Sequence, residues 1–243
     1  MKRIKGFTLI ELLVVISIIA LLLSIMMPSL KRVKEKAKAV VCLTNYRQWG
    51  LAFSAYLVDN NDKFMGEWVS IAQSAGQGGH DIWVWSLAPY YGESKDILLC
   101  PSATKTASEG RMSPYKAWQI SDPKVAEAPY VGEPAIRGSY MINWWVTNPY
   151  RYADRRYTDD PRSWKTNMVN MSKDRIPVLG AGGAVWRSFP DDTDRLPRFD
   201  GDEAWSADCS MARFSLNRHE QGYTHMLFMD WSARKVGLKE LWT

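Results

Sequence analysis

The residues able to do chemistry here are a loop of carboxylates, a few histidines and cysteines, and one isolated glutamate. Asp191, Asp192, Asp194, Asp200, Asp202 and Glu203 crowd into thirteen residues. Hard oxygen donors in a loop are what Ca²⁺ requires, and Asp192, Asp194, Asp200 and Asp202 are the candidate ligands. The EF-hand pattern is absent, and Arg187, Arg195 and Arg198 stand near enough in sequence to neutralise the cluster. A solvated acidic loop is therefore the preferred reading, with calcium as its alternative. His219 and His225 are six residues apart, a spacing that suits neither a zincin helix nor a Cys/His zinc site. On a strand, His225 and Asp230 fall on opposite faces. His219 is expected instead to be a hydrogen-bonded residue that closes a hairpin. Gly180-Ala181-Gly182-Gly183-Ala184 lacks the third glycine of a dinucleotide loop and reads as a tight turn. No nucleophile–base or paired-carboxylate constellation stands out, so catalysis is not expected.

The glutamate is Glu11, and its setting is the most informative feature of the chain. From Phe7 to Met27 run 21 residues whose one charge is Glu11. As a helix they span about 31 Å, the thickness of a hydrocarbon core. A carboxylate inside such a span costs about 2.5–3.5 kcal/mol on insertion scales. No Lys or Arg in the span can pair with it. A secretory signal peptide competes with this reading, but the apolar run is too long and no small-residue cleavage site follows. Met26-Met27-Pro28 is a poor substitute for one.

Composition frames the rest. The chain has 243 residues, 46% hydrophobic and 23% charged, which excludes disorder. A mean hydropathy of −0.29 excludes a polytopic membrane protein. The net charge of +5 loses three units with Lys2, Arg3 and Lys5 ahead of the apolar run and falls to +2, an ordinary value. With no basic stripe interleaved with aromatics, nucleic acid is not an expected partner. Three cysteines, Cys42, Cys100 and Cys209, form no C-x-x-C pair, which argues against a zinc ribbon.

Gly6-Phe7-Thr8-Leu9-Ile10-Glu11, behind a basic leader and ahead of an uninterrupted apolar helix, resembles the class III signal peptide of type IV pilins and type II secretion pseudopilins. That resemblance implies cleavage by a prepilin peptidase between Gly6 and Phe7 and N-methylation of Phe7. It makes Glu11 the assembly carboxylate, paired with the amine of a neighbouring subunit, and Pro28 the proline that commonly kinks this helix. It also implies an inner-membrane, single-pass protein with a cytoplasmic leader and a periplasmic or extracellular head. The implied partners are other pilin or pseudopilin subunits, an inner-membrane assembly platform and membrane lipid. The pseudopilins' calcium-stabilised C-terminal loop supports the calcium alternative above. In an extracytoplasmic compartment Cys42 and Cys100 can form a disulfide, with Cys209 left over.

Two further segments resemble large pilin-like proteins abundant in planctomycetes and related bacteria. One is the C-x-x-N-x-R-Q-x-G-x-A pattern of Cys42 to Ala52. The other is the end of the chain, where that subgroup has His, nine residues, then Asp-Gly. Here ten residues separate His219 from Asp230, and Trp231 replaces the glycine.

The expected architecture is α+β: leader 1–6, transmembrane and assembly helix 7–27, amphipathic continuation 28–58 and β-rich head 59–243. Leu30, Val33, Ala37, Val40/Val41, Thr44, Leu51/Ala52 and Ala55 recur at helical spacing and are expected to pack under the head. Strands are expected at Trp83–Leu87, Ile97–Cys100, Gly138–Val146, Pro177–Gly180, Thr224–Asp230 and Lys235–Gly237. Trp83–Ala88 and Leu238–Trp242 have short helices as alternatives. The function expected from the resemblance is a structural subunit of a type II secretion pseudopilus or a type IV pilus-like filament. The alternative is a membrane-anchored carbohydrate-binding module that stacks sugars on Trp83, Trp85, Trp144 and Trp145; burial is the commoner fate of such residues. A tethered hydrolase ranks last.

Overall fold

The computed structural model describes residues 7–65, 83–92, 94–105, 115–120, 136–146, 166, 172–182, 214–220, 222–237 and 240. One helix, α1 (Leu9–Asp59), dominates them and continues through Pro28 without a break. The two expected helical halves are thus a single element. It ends at Asn60, where Asn61 and Asp62 take left-handed conformations with φ of 54° and 57°. Short helices α2 (Trp83–Ser86) and α3 (Ala88–Tyr91) follow. β1 (Trp118–Ile120) pairs with β2 (Ile136–Gly138) in a two-stranded sheet. β3 (Tyr140–Ile142), β4 (Pro177–Ala181), β5 (Tyr223–Phe228) and β6 (Ala233–Gly237) form an antiparallel meander in the order 3-4-5-6. The α+β expectation of a long helix on an antiparallel head holds.

Strands β3, β4 and β5 are buried on both faces and read as largely apolar runs, whereas the edge strand β6 carries Arg234 and Lys235 towards solvent. Alternation along the strands, interrupted by a register shift between Pro177 and Leu179, splits them between two clusters. Tyr140, Ile142, Val178, Leu179 and Leu227 face the main core with α1, whereas Met141, Met226, Phe228 and Val236 join Phe214 and Leu216 behind the sheet. Helix and sheet touch closely at Gly50: a Cβ there would meet Leu227 Cδ1 at 3.3 Å and Trp231 Cβ at 3.4 Å.

The face of α1 that enters the head is not the expected one. Leu30, Val33, Val40, Val41 and Leu51 are exposed, as are Ala37, Thr44 and Ala55; of the expected stripe only Ala52 is buried. The buried face is Cys42, Asn45, Tyr46, Trp49, Gly50, Ala52, Phe53 and Leu57. Aromatic rings anchor it. Trp49 meets Trp83 and Tyr91 edge-on at 4.8 and 4.9 Å, and Phe53 stacks with Trp83 at 6.3 Å and Trp231 at 6.0 Å.

Two expected strands are something else. Trp83–Ser86 is helical, the alternative the sequence held open there, and Ile97–Cys100 belongs to a 3₁₀ turn (Lys95–Leu98) and the link after it. The backbone of that turn is met by side chains of α1 rather than by a neighbouring strand. Asn45 Nδ2 donates to the carbonyls of Asp96 (3.3 Å) and Leu99 (3.2 Å), and Trp49 Nε1 donates to that of Ile97 (3.1 Å). Asn45→Ala should therefore lower the unfolding free energy by about 1–3 kcal/mol, the penalty for buried carbonyls left without donors. Urea unfolding followed by tryptophan fluorescence measures this; an unchanged midpoint would refute it.

The β5–β6 turn forms despite the missing glycine. Trp231 sits at φ 66°, a conformation that costs a non-glycine residue about 1–2 kcal/mol. Asp230 Oδ1 accepts from the Ser232 amide (2.9 Å) and hydroxyl (2.6 Å), and the Trp231 ring stacks on Phe53.

Candidate functional site

At the N-terminal end, Thr8 and Glu11 cap α1 reciprocally. The Thr8 hydroxyl accepts from the Glu11 amide (3.2 Å), while Glu11 Oε2 accepts from the Thr8 amide and hydroxyl, both at 2.8 Å. This is a capping box, which satisfies donors the first turn would leave open. Phe7 precedes it and is exposed. Along the next turns Ser17 and Ser24 return their hydroxyls to the carbonyls of Leu13 (2.8 Å) and Leu21 (2.7 Å), so neither is left unpaired in an apolar setting. The helix is long and apolar enough to cross a membrane, and its apolar window packs against nothing among the described residues.

A second centre lies inside the head, where α1 passes the sheet. Cys42 comes from α1, Cys100 from the link after the 3₁₀ turn, His219 from the bend before β5, and His225 from β5 itself. Cys100 is held by its amide, which donates to Ser139 Oγ at 2.7 Å. Its Sγ lies 3.2 Å from His219 Nε2, and His219 Nδ1 lies 3.3 Å from Ser102 Oγ. Tyr140 donates its hydroxyl to Cys42 Sγ at 3.6 Å. The His219 and His225 rings are 4.9 Å apart between centroids. Cys42 Sγ and one ring nitrogen from each histidine lie within 4.8 Å of one another.

Arg218 closes this centre from below, with 2% of its surface exposed. Its guanidinium donates to the carbonyls of Ser139 (2.7 Å), Lys116 (3.3 Å) and Gly182 (3.5 Å) and to Ser215 Oγ (3.0 Å). Together these groups set the charge states. The Cys100 thiol is pulled from 9.0 down to about 4, chiefly by its hydrogen bond with Cys42, against burial and with help from His219 and Arg218. Cys42 is pushed well above its ordinary value by that same bond and by burial. Burial, then the neighbouring His219, pushes His225 down to about 4, so its ring is neutral near pH 7.

The expected residues distribute unevenly over this structure. Cys42 and Cys100 are brought together, both buried and both free thiols. His219 bonds to Cys100 and Ser102 rather than closing its own hairpin. His225 is buried on β5, whereas Asp230 lies beyond the strand in the exposed turn, so the two do not share a strand. Gly180 and Ala181 are in β4 and Gly182 bridges to Phe214, so these three residues are extended rather than a turn, and Gly183 and Ala184 lie outside the described residues. There a Cβ on Gly180 would meet the Phe214 ring at 2.6 Å and one on Gly182 would meet Met141 Cβ at 2.5 Å. Trp83 and Trp145 are buried and Trp144 is packed against the core. Gly6, Cys209 and the acidic loop with Asp192, Asp194, Asp200 and Asp202 lie outside the described residues. Arg218 and the convergence of two cysteines with two histidines were not anticipated. The available signal was scarcity: the sequence has only three His and three Cys.

A capped apolar helix of membrane-spanning length, rooted by its second half in an antiparallel head, is a pilin-like α+β build. Comparison with known proteins agrees over the N-terminal segment. Residues 1–27 match the family described as Prokaryotic N-terminal methylation motif, and the chain's N-terminal segment is type IV pilin-like. The chain is 44% identical over 62 residues to the type IV wide pilus major component PilA4 of Thermus thermophilus. That match covers 25% of this chain and 47% of the relative, so the chain spans about half the length of the curated relative it matches. No solved structure matches it.

Proposed function

We propose that this chain is a subunit of a type IV pilus-like filament, matured by a prepilin peptidase between Gly6 and Phe7 and N-methylated at Phe7. The observation that carries this reading is the bare first half of α1, whose apolar side chains need lipid before assembly and other helices after it. The exposed row Leu30, Val33, Val40, Val41 and Leu51 extends that need beyond the membrane and suits bundling with neighbouring subunits. The likeness to a pilus major component favours a pilus-like filament over a secretion pseudopilus. In this reading the leader is cytoplasmic, the helix anchors the subunit in the inner membrane and the head faces outward. The work of the chain is assembly, not catalysis.

Intact mass of the membrane-extracted protein tests the proposal. Loss of residues 1–6 together with the gain of one methyl group is expected; an intact leader would refute it. Gly6→Ala should abolish maturation, because the peptidase must bring backbone close at a residue without a side chain. Normal processing of that variant on a gel would overturn the assignment of the cut.

A further inference from the structure

We propose that Cys42, Cys100, His219 and His225 form a binding site for one zinc ion that fastens the assembly helix to the head. Two sulfurs and two imidazoles are the donor set of a closed tetrahedral structural zinc centre. Soft and borderline donors of this kind disfavour Mg²⁺ and Ca²⁺. The one carboxylate at the cavity wall, Glu220, is engaged with Lys235.

Three independent features point to a ligand there. Cys42 Sγ and one ring nitrogen from each of His219 and His225 lie within 4.8 Å of one another, with Cys100 Sγ beside them at 3.2 Å from His219 Nε2, and these donors come from three separate parts of the chain. His225 is 7% exposed, yet its Nδ1 is buried without a hydrogen-bond partner. A buried nitrogen with no partner is expensive unless something else fills that role. Between Cys42, His219 and His225 the chain leaves a cavity of about 10 Å³, the room of a single small centre.

The surroundings are those a metal site uses to orient its ligands. Ser102 Oγ on His219 Nδ1 leaves Nε2 turned towards the Cys100 sulfur, and the Tyr140 hydroxyl donates to the Cys42 sulfur. Such partners fix the tautomer and steady the thiolates. A zinc ion here would join α1, the link before β1, and β5, which otherwise meet through packing and hydrogen bonds. This inference concerns the junction of α1 with the head and does not depend on the filament reading.

The test uses the untagged full chain in detergent, reduced, stripped with a chelator, and then given zinc or cobalt alone. Bound zinc of about one per chain is expected, along with a cobalt form showing visible ligand-field bands and thiolate-to-cobalt charge transfer. Cys42→Ser should remove the charge-transfer intensity of its sulfur. Ser102→Ala, which keeps every ligand, should weaken zinc binding by about 10–100-fold. Retention of no metal by the wild-type chain would overturn the proposal. A cobalt spectrum without thiolate charge transfer, or an unreduced chain two hydrogens lighter with Cys42 joined to Cys100, would overturn it equally. The wild-type measurement decides even if Cys42→Ser fails to fold.

Discussion

Arg218→Met should destabilise the head by about 3–5 kcal/mol, the scale seen when one member of a buried charged network is removed. Methionine nearly matches the volume of the aliphatic stem but offers no donor. The carbonyls of Ser139, Lys116 and Gly182 would each lose a bond, as would the Ser215 hydroxyl. These acceptors belong to β1's approach, the β2–β3 link, the end of β4 and the bend before β5, so one side chain ties four segments. The Cys100 thiolate would lose a favourable positive neighbour as well. A typical domain has only about 5–15 kcal/mol of stability in all, so the loss is a large fraction of it. Arg218→Lys should recover less than half, because an ammonium cannot reach divergent acceptors from a planar fork. Urea unfolding of the reduced, chelator-treated chain isolates this effect from any metal. A midpoint within error of wild type would show that the carbonyls find other donors.

How far the sequence foretold this structure depends on which signal each part relied on. The membrane half of α1 needed only composition: from Phe7 to Met27 nothing but Glu11 breaks the apolar run. Strands β4, β5 and β6 were legible because turn residues bracket short apolar runs. In the second half of α1 the aliphatic positions are not the buried face. Burial there is decided by Tyr46, Trp49 and Phe53, and by Asn45, whose amide serves a loop's carbonyls. An asparagine rarely counts as a core residue, so its place in the stripe was invisible without the partner. The exposed aliphatic row then becomes informative in its own right, since it is apolar surface the chain does not bury by itself. The Ile97–Cys100 segment failed for the complementary reason: an apolar run implies burial, but not that a strand supplies its hydrogen bonds. The sulfur–imidazole centre was illegible because Cys42, Cys100 and His219 are separated by long stretches of chain. Spacing rules detect ligands only when neighbours share an element, as in a zinc ribbon.

Glu11→Gln and Glu11→Leu should both leave the leader cleaved and the subunit membrane-resident, and both should abolish filament growth. The structure gives Glu11 a task of its own as a member of the capping box with Thr8, so a simple deletion confounds two roles. Leucine relieves about 2.5–3.5 kcal/mol of insertion penalty and gives up only the returning bonds to Oε2, since the Thr8 hydroxyl still accepts from the amide at position 11, so its insertion should not suffer. Glutamine is the separating variant. It can still close a capping box from the third helical position, yet it carries no charge. In the subunit both capping bonds fall on Oε2, which leaves Oε1 available for the amine that cleavage creates at a neighbour's Phe7. Cap and pair can therefore coexist on one carboxylate. A pair of unit charges at 4 Å and an effective dielectric of 20 is worth about 4 kcal/mol, on the order of a thousandfold in an association constant. Sheared or cross-linked polymer, scored against membrane-resident monomer in cells with the assembly machinery, reads the difference directly. If glutamine assembles like wild type while leucine fails, the helix cap is what assembly requires. If both assemble, Glu11 has no part in it. Failure of both, with cleavage intact, leaves the charge as the property that draws one subunit's N-terminus to the next.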